Sequence, residues 1–451
     1  MGTATATAAA RPQTQPASTG ARRAAWPGVA ALGMLCVLYV LLAALPAYAD
    51  SGIVLGSPRE HWPAWVLGPL RFAGVGGHAL VGPLFYAGLW LALLLYVAVL
   101  VRIGDLPARA VLWTIVGLHV LFLLAPPLLS QDVFSYIAYA RLGVEHSLNP
   151  YTHTPLDIPG DSVFGYAGSV GAVSVYGPLF TLLTYPLAPL GLGGALWTLK
   201  ALAAACSLGI VGLVWKGARL LGRDPVLPAA FVGLNPITLV HVVGGAHNEA
   251  LVVLLTVLGI VIWVSGVGSR VSGTAVASAA AGIKASAGLV VPFLVVGSRE
   301  RWRQALIAAV LVLAALAVIG LAVFGIHALD ALSFLNSNQA RSSRWSFPYK
   351  TAQLFGLVLP GGRLDYRTAA RVLWGVAFGC VFLWLLWRTW RGENPVRAAG
   401  WATFAILVAS AWLVPWYALW LLPLAALAGD LTLMAASVAL CGWMLVITVP
   451  L

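Results

Sequence analysis

Asp132 is the first residue of this chain placed to do chemistry: it follows an apolar run, 110–129, and opens the polar, aromatic stretch SQDVFSYIAYARLGVEHSLNPY at 130–151. A carboxylate at the lip of such a run meets both water and lipid headgroups, so it can take a proton from a soluble or lipid-borne hydroxyl. Helical spacing puts Tyr136 and Tyr139 one and two turns along its face and makes Arg141 and Glu145 an i,i+4 pair, usually a plain surface ion pair. An acid at a helix N-terminus also complements the dipole. That role alone leaves the aromatic residues and Asn149-Pro150-Tyr151 unexplained.

A second polar group is GGAHNEA at 244–250, with His247, Asn248 and Glu249 at the end of another apolar run. Ionisable residues at such positions are candidates for function, and this set suits hydrogen bonds to a sugar or a phosphate; a structural helix cap is the plainer alternative. A metal reading of His-x-Glu is weak, because the zinc deaminase pattern also needs Pro-Cys-x-x-Cys, which is absent. Lys284 lies in an apolar segment and needs an anionic partner, which a lipid phosphate would supply. Lys200 is expected to snorkel its ammonium toward an interface. Arg341, Arg344 and Lys350 lie in the loop 327–350, where RSSRW reads as a phosphate clamp or else a solvated connector, since Arg forks match phosphate oxygens. Trp416 and Tyr417, in WLVPWYALW, belong to an interfacial aromatic belt or stack on a sugar ring.

The elements that position these residues are membrane helices. With 61% hydrophobic and 9% charged residues and a mean hydropathy of +0.92, the chain lies outside the soluble range and reads as all-α and polytopic. The net charge of +12 belongs to loop Lys and Arg facing anionic lipid, and no nucleic-acid motif accompanies it. Cys36, Cys206, Cys380 and Cys441 sit in apolar runs without metal-ligand spacing. Residues 1–27, rich in Ala, Thr and Pro with Arg11, Arg22 and Arg23, cannot bury a core and are expected to be a disordered cytoplasmic tail.

Plausible crossings are 28–48, 80–101, 110–129, 195–217, 226–243, 249–267, 304–326, 370–391, 397–413, 415–428 and 431–449, giving 11–13 membrane helices with re-entrant or interfacial segments counted. The run 28–44 is read as a retained anchor, although Pro46-Ala47-Tyr48-Ala49 mimics a cleavage site. Arg102, Arg109, Lys216, Arg219, Arg223, Arg299, Arg301, Arg303, Arg388, Arg391 and Arg397 then share the cytoplasmic side, and the acid-rich loop 130–175 faces outside. Two apolar segments fit only if they do not cross. Residues 176–190, with three prolines, read as an external interfacial helix, and 271–296, with basic residues at both ends, as a pair of half-helices with Lys284 near the tip. No repeat is evident, so 28–451 is one membrane domain whose large external part is 130–190.

Taken together, Asp-Val-Phe-Ser-Tyr at 132–136, Asn-Pro-Tyr at 149–151, Tyr-Gly-Pro at 176–178, Asn-Pro at 235–236, Gly-Gly-Ala-His-Asn-Glu at 244–249, Lys284 and Pro-Trp-Tyr at 415–417 resemble the bacterial polyprenol-phosphate-mannose-dependent α-1,6-mannosyltransferases. These are GT-C membrane glycosyltransferases, and the similarity spans about residues 110–430. Where the family usually has Asp this chain has Glu249. The resemblance implies an inverting transfer, at the external face of the plasma membrane, from a polyprenyl-phosphate sugar donor to a glycolipid or glycan acceptor of the cell envelope. Asp132 is then the expected base; Arg341, Arg344 and Lys284 would hold the donor phosphate, and Tyr136, His247, Asn248, Glu249, Trp416 and Tyr417 the sugar or acceptor. No metal or other cofactor is expected, because phosphate is already a good leaving group. The rival class, a transporter or flippase that binds the same lipid-linked sugar without cleaving it, commonly shows internal repeats.

Overall fold

The computed structural model describes residues 26–48, 50–57, 61–72, 80–329, 342–358 and 365–448. Nearly all of the expected disordered tail, and Arg341, lie outside the described residues. Among the described residues the chain is all-helical, with one isolated bridge, Val54 to Leu128.

Apolar runs make the long helices: α1 (Trp26–Ala44), α2 (Val81–Val101), α3 (Ala108–Leu124), α4 (Asp132–Val144), α5 (Pro178–Thr184), α6 (Gly191–Leu220), α7 (Val226–Gly233), α8 (Glu249–Val264), α9 (Arg270–Ala279), α10 (Val291–Gly297), α11 (Trp302–Phe324), α12 (Phe347–Val358), α13 (Tyr366–Trp390), α14 (Pro395–Ala409), α15 (Leu422–Ala428) and α16 (Leu431–Thr448). Of these, α1, α2, the α5–α6 stretch, α11 and α13 are long and apolar enough to cross a bilayer. Helices α3, α8, α14 and α16 are apolar but shorter, and each coincides with an expected crossing. Ile307, Val310, Leu311, Val372, Val376 and Leu383 stand exposed on α11 and α13, as helices bordered by lipid rather than water do.

The breaks matter most for position. Between α7 and the π-helical turn Ile237–Val243 the chain bends by 46°. Pro236 has no N–H to give, and carbonyls beside the bend accept from side chains instead: Tyr39 Oη donates to Leu234 O at 2.7 Å and Tyr96 Oη to Phe231 O at 2.6 Å. Asn235 Oδ1 accepts from Ile237 N at 2.9 Å. Unwound backbone at membrane depth is tolerated on this condition, that protein groups satisfy it. The expected interfacial segment 176–190 is a short helix, α5, and a tight turn of 3-10 helix that ends at Gly191 with φ 66°, where α6 begins.

The segment from Arg270 to Ser298 folds back on itself. Helix α9 runs antiparallel to α8 at close range, since a Cβ on Gly273 would lie 2.6 Å from Gly259 O. Lys284 is extended (φ −153°, ψ 122°) between short helical turns, and α10 then returns. Both ends meet Trp263: the Arg270 guanidinium lies 4.8 Å over its ring, and its Nε1 donates to Leu294 O at 3.2 Å and Ser298 Oγ at 3.1 Å. The tip meets Glu249 at the opposite end of α8, roughly 20 Å away at 1.5 Å per residue. The pair of half-helices expected from the charge pattern is therefore present.

Among the described residues two large cores result, beside two small buried clusters, one within 291–309 and one around Tyr151 and Phe324. One large core unites α1, α2, α3, α6, α7, α8 and α14–α16; the other lies under α4, where Phe134, Tyr136, Tyr139, Tyr176 and Phe180 are buried together.

Candidate active site

Two backbone stretches set the site, and they are bonded to each other. After α3, Leu128 N donates to Gly244 O at 3.1 Å and Leu129 N to Ile53 O at 2.9 Å. Four residues later Asp132 begins α4, its N–H donating to Ser130 Oγ at 3.2 Å. Gly244 opens the loop that carries His247 to Glu249. A side chain on Gly245 would strike the His247 ring, and Ala246 takes φ 56°, strain that tends to cluster at functional sites.

This arrangement brings Asp132, Tyr136, His247, Asn248, Glu249, Lys284, Trp416 and Tyr417 together. His247 Nδ1 lies 3.6 Å from Asp132 Oδ2 and 3.8 Å from Glu249 Oε2, so a single imidazole separates two carboxylates. Its ring stacks on Trp416 with centroids 3.8 Å apart and planes 20° apart. Lys284 Nζ donates to Glu249 Oε1 and sits 4.6 Å over the Tyr417 ring and 5.4 Å from that of Trp420. The anionic partner that its depth demands is thus supplied within the chain. Tyr136 Oη accepts from Asn248 N at 3.4 Å. Tyr-Gly-Pro at 176–178 docks the hairpin tip, Gly177 N donating to Ile283 O at 2.9 Å.

The electrostatics separate the two acids. Glu249 is 1% exposed, whereas the Asp132 side chain keeps 38% of its surface. Burial of the surrounding recess and then the Glu249 charge raise the Asp132 carboxyl to about 6, against the lowering influence of Lys284 and Ser130. Burial first, then His241 and Lys284, push His247 well below the usual histidine range, so it is neutral near pH 7. Several buried atoms have no hydrogen-bond partner: both ring nitrogens of His247, both amide atoms of Asn248, Glu249 Oε2 and Trp420 Nε1. Buried polar atoms are rarely left so. A bound polyhydroxyl group, whose hydroxyls both donate and accept, would satisfy them.

Other expected residues stand apart. Arg344 is exposed on a stretch anchored by Ser343, whose N–H donates to Ala411 O and whose Oγ donates to Leu413 O, both at 2.8 Å. That places it beside the segment leading into Trp416 and Tyr417. Lys200 does not snorkel: it is 0% exposed, and its Nζ donates to Phe122 O at 3.1 Å and Gly244 O at 2.9 Å. Lys200 lies on the covered face of α6, toward α3 and the Ile237–Val243 turn, so its amine turns inward to their carbonyls rather than out to an interface. Arg141 and Glu145 are more than a surface pair, because Arg141 Nε also donates to Asp161 Oδ1 at 2.8 Å. Glu145, His146 and Asp161 converge as metal ligands can, but the Arg141 guanidinium already occupies both carboxylates. Sequence reasoning missed Trp420, which stacks on Tyr417 at 4.4 Å and whose i,i+3 spacing was a usable signal. It also missed buried His241, with both ring nitrogens unpartnered, an ionisable residue inside an apolar run.

Similarity to known proteins covers most of the chain. The family profile described as "Alpha-(1->6)-mannopyranosyltransferase, N-terminal domain" matches residues 25–300, and that of the "MptB C-terminal domain" matches 350–451. Alpha-(1->6)-mannopyranosyltransferase A of Mycobacterium tuberculosis is 30% identical over 437 residues, 88% of this chain and 81% of that protein. A probable alpha-(1->6)-mannopyranosyltransferase of Mycolicibacterium smegmatis is 26% identical, covering 72% of this chain and 65% of that one. For alpha-(1->6)-mannopyranosyltransferase B of Corynebacterium glutamicum the figures are 26%, 68% and 57%. No solved structure matches the chain.

Proposed function

Since the chain belongs to the alpha-(1->6)-mannopyranosyltransferase family, we propose that this membrane glycosyltransferase moves mannose from a polyprenyl-phosphate donor to a hydroxyl of an envelope glycolipid or polysaccharide, with inversion and with Asp132 as base. The observation that carries the reading is one solvent-open carboxylate, Asp132, set beside a neutral imidazole and a buried Glu249–Lys284 pair. As the acceptor oxygen attacks the anomeric carbon, its proton passes to Asp132. The bond from that carbon to the phosphate oxygen breaks on the opposite face, and the electron pair leaves with the phosphate.

Lys284, Arg344 and Arg341 are assigned to the departing phosphate charge, where oriented cations in a water-poor site act most strongly. His247, Asn248 and Tyr136 are assigned to sugar hydroxyls, with Glu249 holding Lys284 in place and Trp416 and Tyr417 bounding the ring. The chemistry asks for no metal, because phosphate leaves readily once its charge is met. The acid-rich loop 130–175 and the basic residues of the other loops support a plasma-membrane protein with this site on the external face.

Radiolabelled polyprenyl-phosphate-mannose and a membrane-impermeant short mannoside, offered to right-side-out vesicles, test the reading. The expected product is the elongated α-linked mannoside. Donor that crosses or binds without yielding product would make the protein a carrier.

A further inference from the structure

Lys200 is fully buried in the first third of the 30-residue helix α6, and among the described residues no carboxylate pairs with it. A buried lysine amine without an acid is costly and is retained where it does something. Its two acceptors are the carbonyls of Phe122 and Gly244. Phe122 lies in the last turn of α3, and Gly244 directly follows the helical turn Ile237–Val243. Both oxygens belong to helix ends whose carbonyls lack intrahelical partners and carry partial negative charge. The Lys200 Nζ stands where two such ends converge.

Both chains run straight from Lys200 into the reacting groups. From Phe122 the backbone reaches Asp132 through Leu128, whose N–H shares the Gly244 oxygen; from Gly244 it reaches His247 and Glu249. We infer that Lys200 is a positioning residue for transfer: by clamping these two helix ends to α6 it sets the separation of Asp132 from His247 and Glu249. This deepens the assignment of Asp132 and rests on it for its effect on rate. Without the clamp the two loops can part by the fraction of an ångström that costs catalysis, since a 1 Å misplacement can cost about 100-fold.

The test uses the full chain in lipid nanodiscs. Lys200→Met keeps the apolar stem and removes the donors. Expected are a fall in kcat of about 10–100-fold, donor KM within about twofold, an acid limb moved to lower pH as Glu249 recedes from Asp132, and faster amide exchange confined to 125–131 and 244–249. Unchanged kcat, acid limb and exchange would overturn the clamp, as would exchange that quickens evenly through all helices, the mark of simple destabilisation. If the Met variant does not fold, Lys200→Leu, which also removes the donors to Phe122 O and Gly244 O, carries the test: local loosening with lowered kcat supports the clamp, and wild-type exchange and acid limb refute it. The exchange readout does not depend on which group is the base. Active Asp132→Asn protein alongside a locally loosened Lys200→Met would sink the base and keep the clamp.

Discussion

Helix α4 carries a charged cluster at each end, and the two differ in how much bonding capacity they leave unspent. At its C-terminal end Arg141 Nε donates to Asp161 Oδ1 and Oδ2 at 2.8 and 3.0 Å and its Nη1 to Glu145 Oε1 at 2.8 Å, while His146 Nε2 lies 2.7 Å from Asp161 and Val163 N donates to Asp161 at 2.9 Å. Burial would raise the Asp161 carboxyl, but the hydrogen bonds from Arg141, Val163 and His146 outweigh it and hold the group below the usual range. At its N-terminal end Asp132 is raised to about 6, and His247, Asn248 and Glu249 keep buried atoms without partners. The residue types are alike. A saturated cluster holds a loop in place, whereas an unsaturated buried one is built to meet something absent.

The comparison breaks first at Asp132. Asp132→Asn keeps the shape and removes the basicity, so transfer should fall by about 100-fold or more while donor binding survives; near-normal transfer in a single-turnover assay would show that the unsaturated end holds no base. The pH profile sharpens the same point. A base whose carboxyl is raised to about 6 is ionised above that pH, so the rate should drop about tenfold per unit as pH falls below 6, and a profile flat down to pH 4.5 would count against the assignment. Arg344 comes next. Losing a charged hydrogen bond costs about 1.5–3 kcal/mol, or roughly 10–150-fold, so Arg344→Ala should weaken binding of sugar-free polyprenyl phosphate by that factor. Lys, a point charge without the fork, should restore only part of it. Unchanged affinity would leave phosphate recognition to Lys284.

The apolar runs made the helices legible, and the charge pattern at Arg270 and Ser298–Arg303 made the fold-back legible, because both depend on local composition. The ordered motifs were read as one site through the family resemblance, not through local composition. Partner choice was not. Glu249 and Lys284 lie 35 residues apart and meet because α9 packs glycine to glycine on α8, a tertiary fact. Lys200 was misjudged because snorkelling assumes a helix bordering lipid, and nothing in the α6 composition says which of its faces the bundle covers. The saturation of Arg141 by Asp161 needs the loop 145–175 in place, and that loop has no periodicity to read.

The smallest effect on transfer should come from the saturated end. The Asp161 side chain is 2% exposed and accepts from Arg141, His146 and a backbone N–H, at the far end of α4 from Asp132. Asp161→Asn removes the charge that Arg141 meets, and hydrogen bonds to charged groups contribute about 1.5–3 kcal/mol each, so thermal stability in detergent should fall while kcat per folded molecule stays within about twofold. The linkage has a definite sign. A carboxyl held low in the folded state stabilises above its unfolded value near 4, and that contribution is lost as pH falls through its lower folded value. Wild-type stability should therefore decline with acid below about pH 4 more steeply than that of Asp161→Asn. Equal slopes would mean that Arg141 and His146 hold the loop by geometry alone. A loss of kcat as large as that of Asp132→Asn would erase the distinction between the two ends of α4.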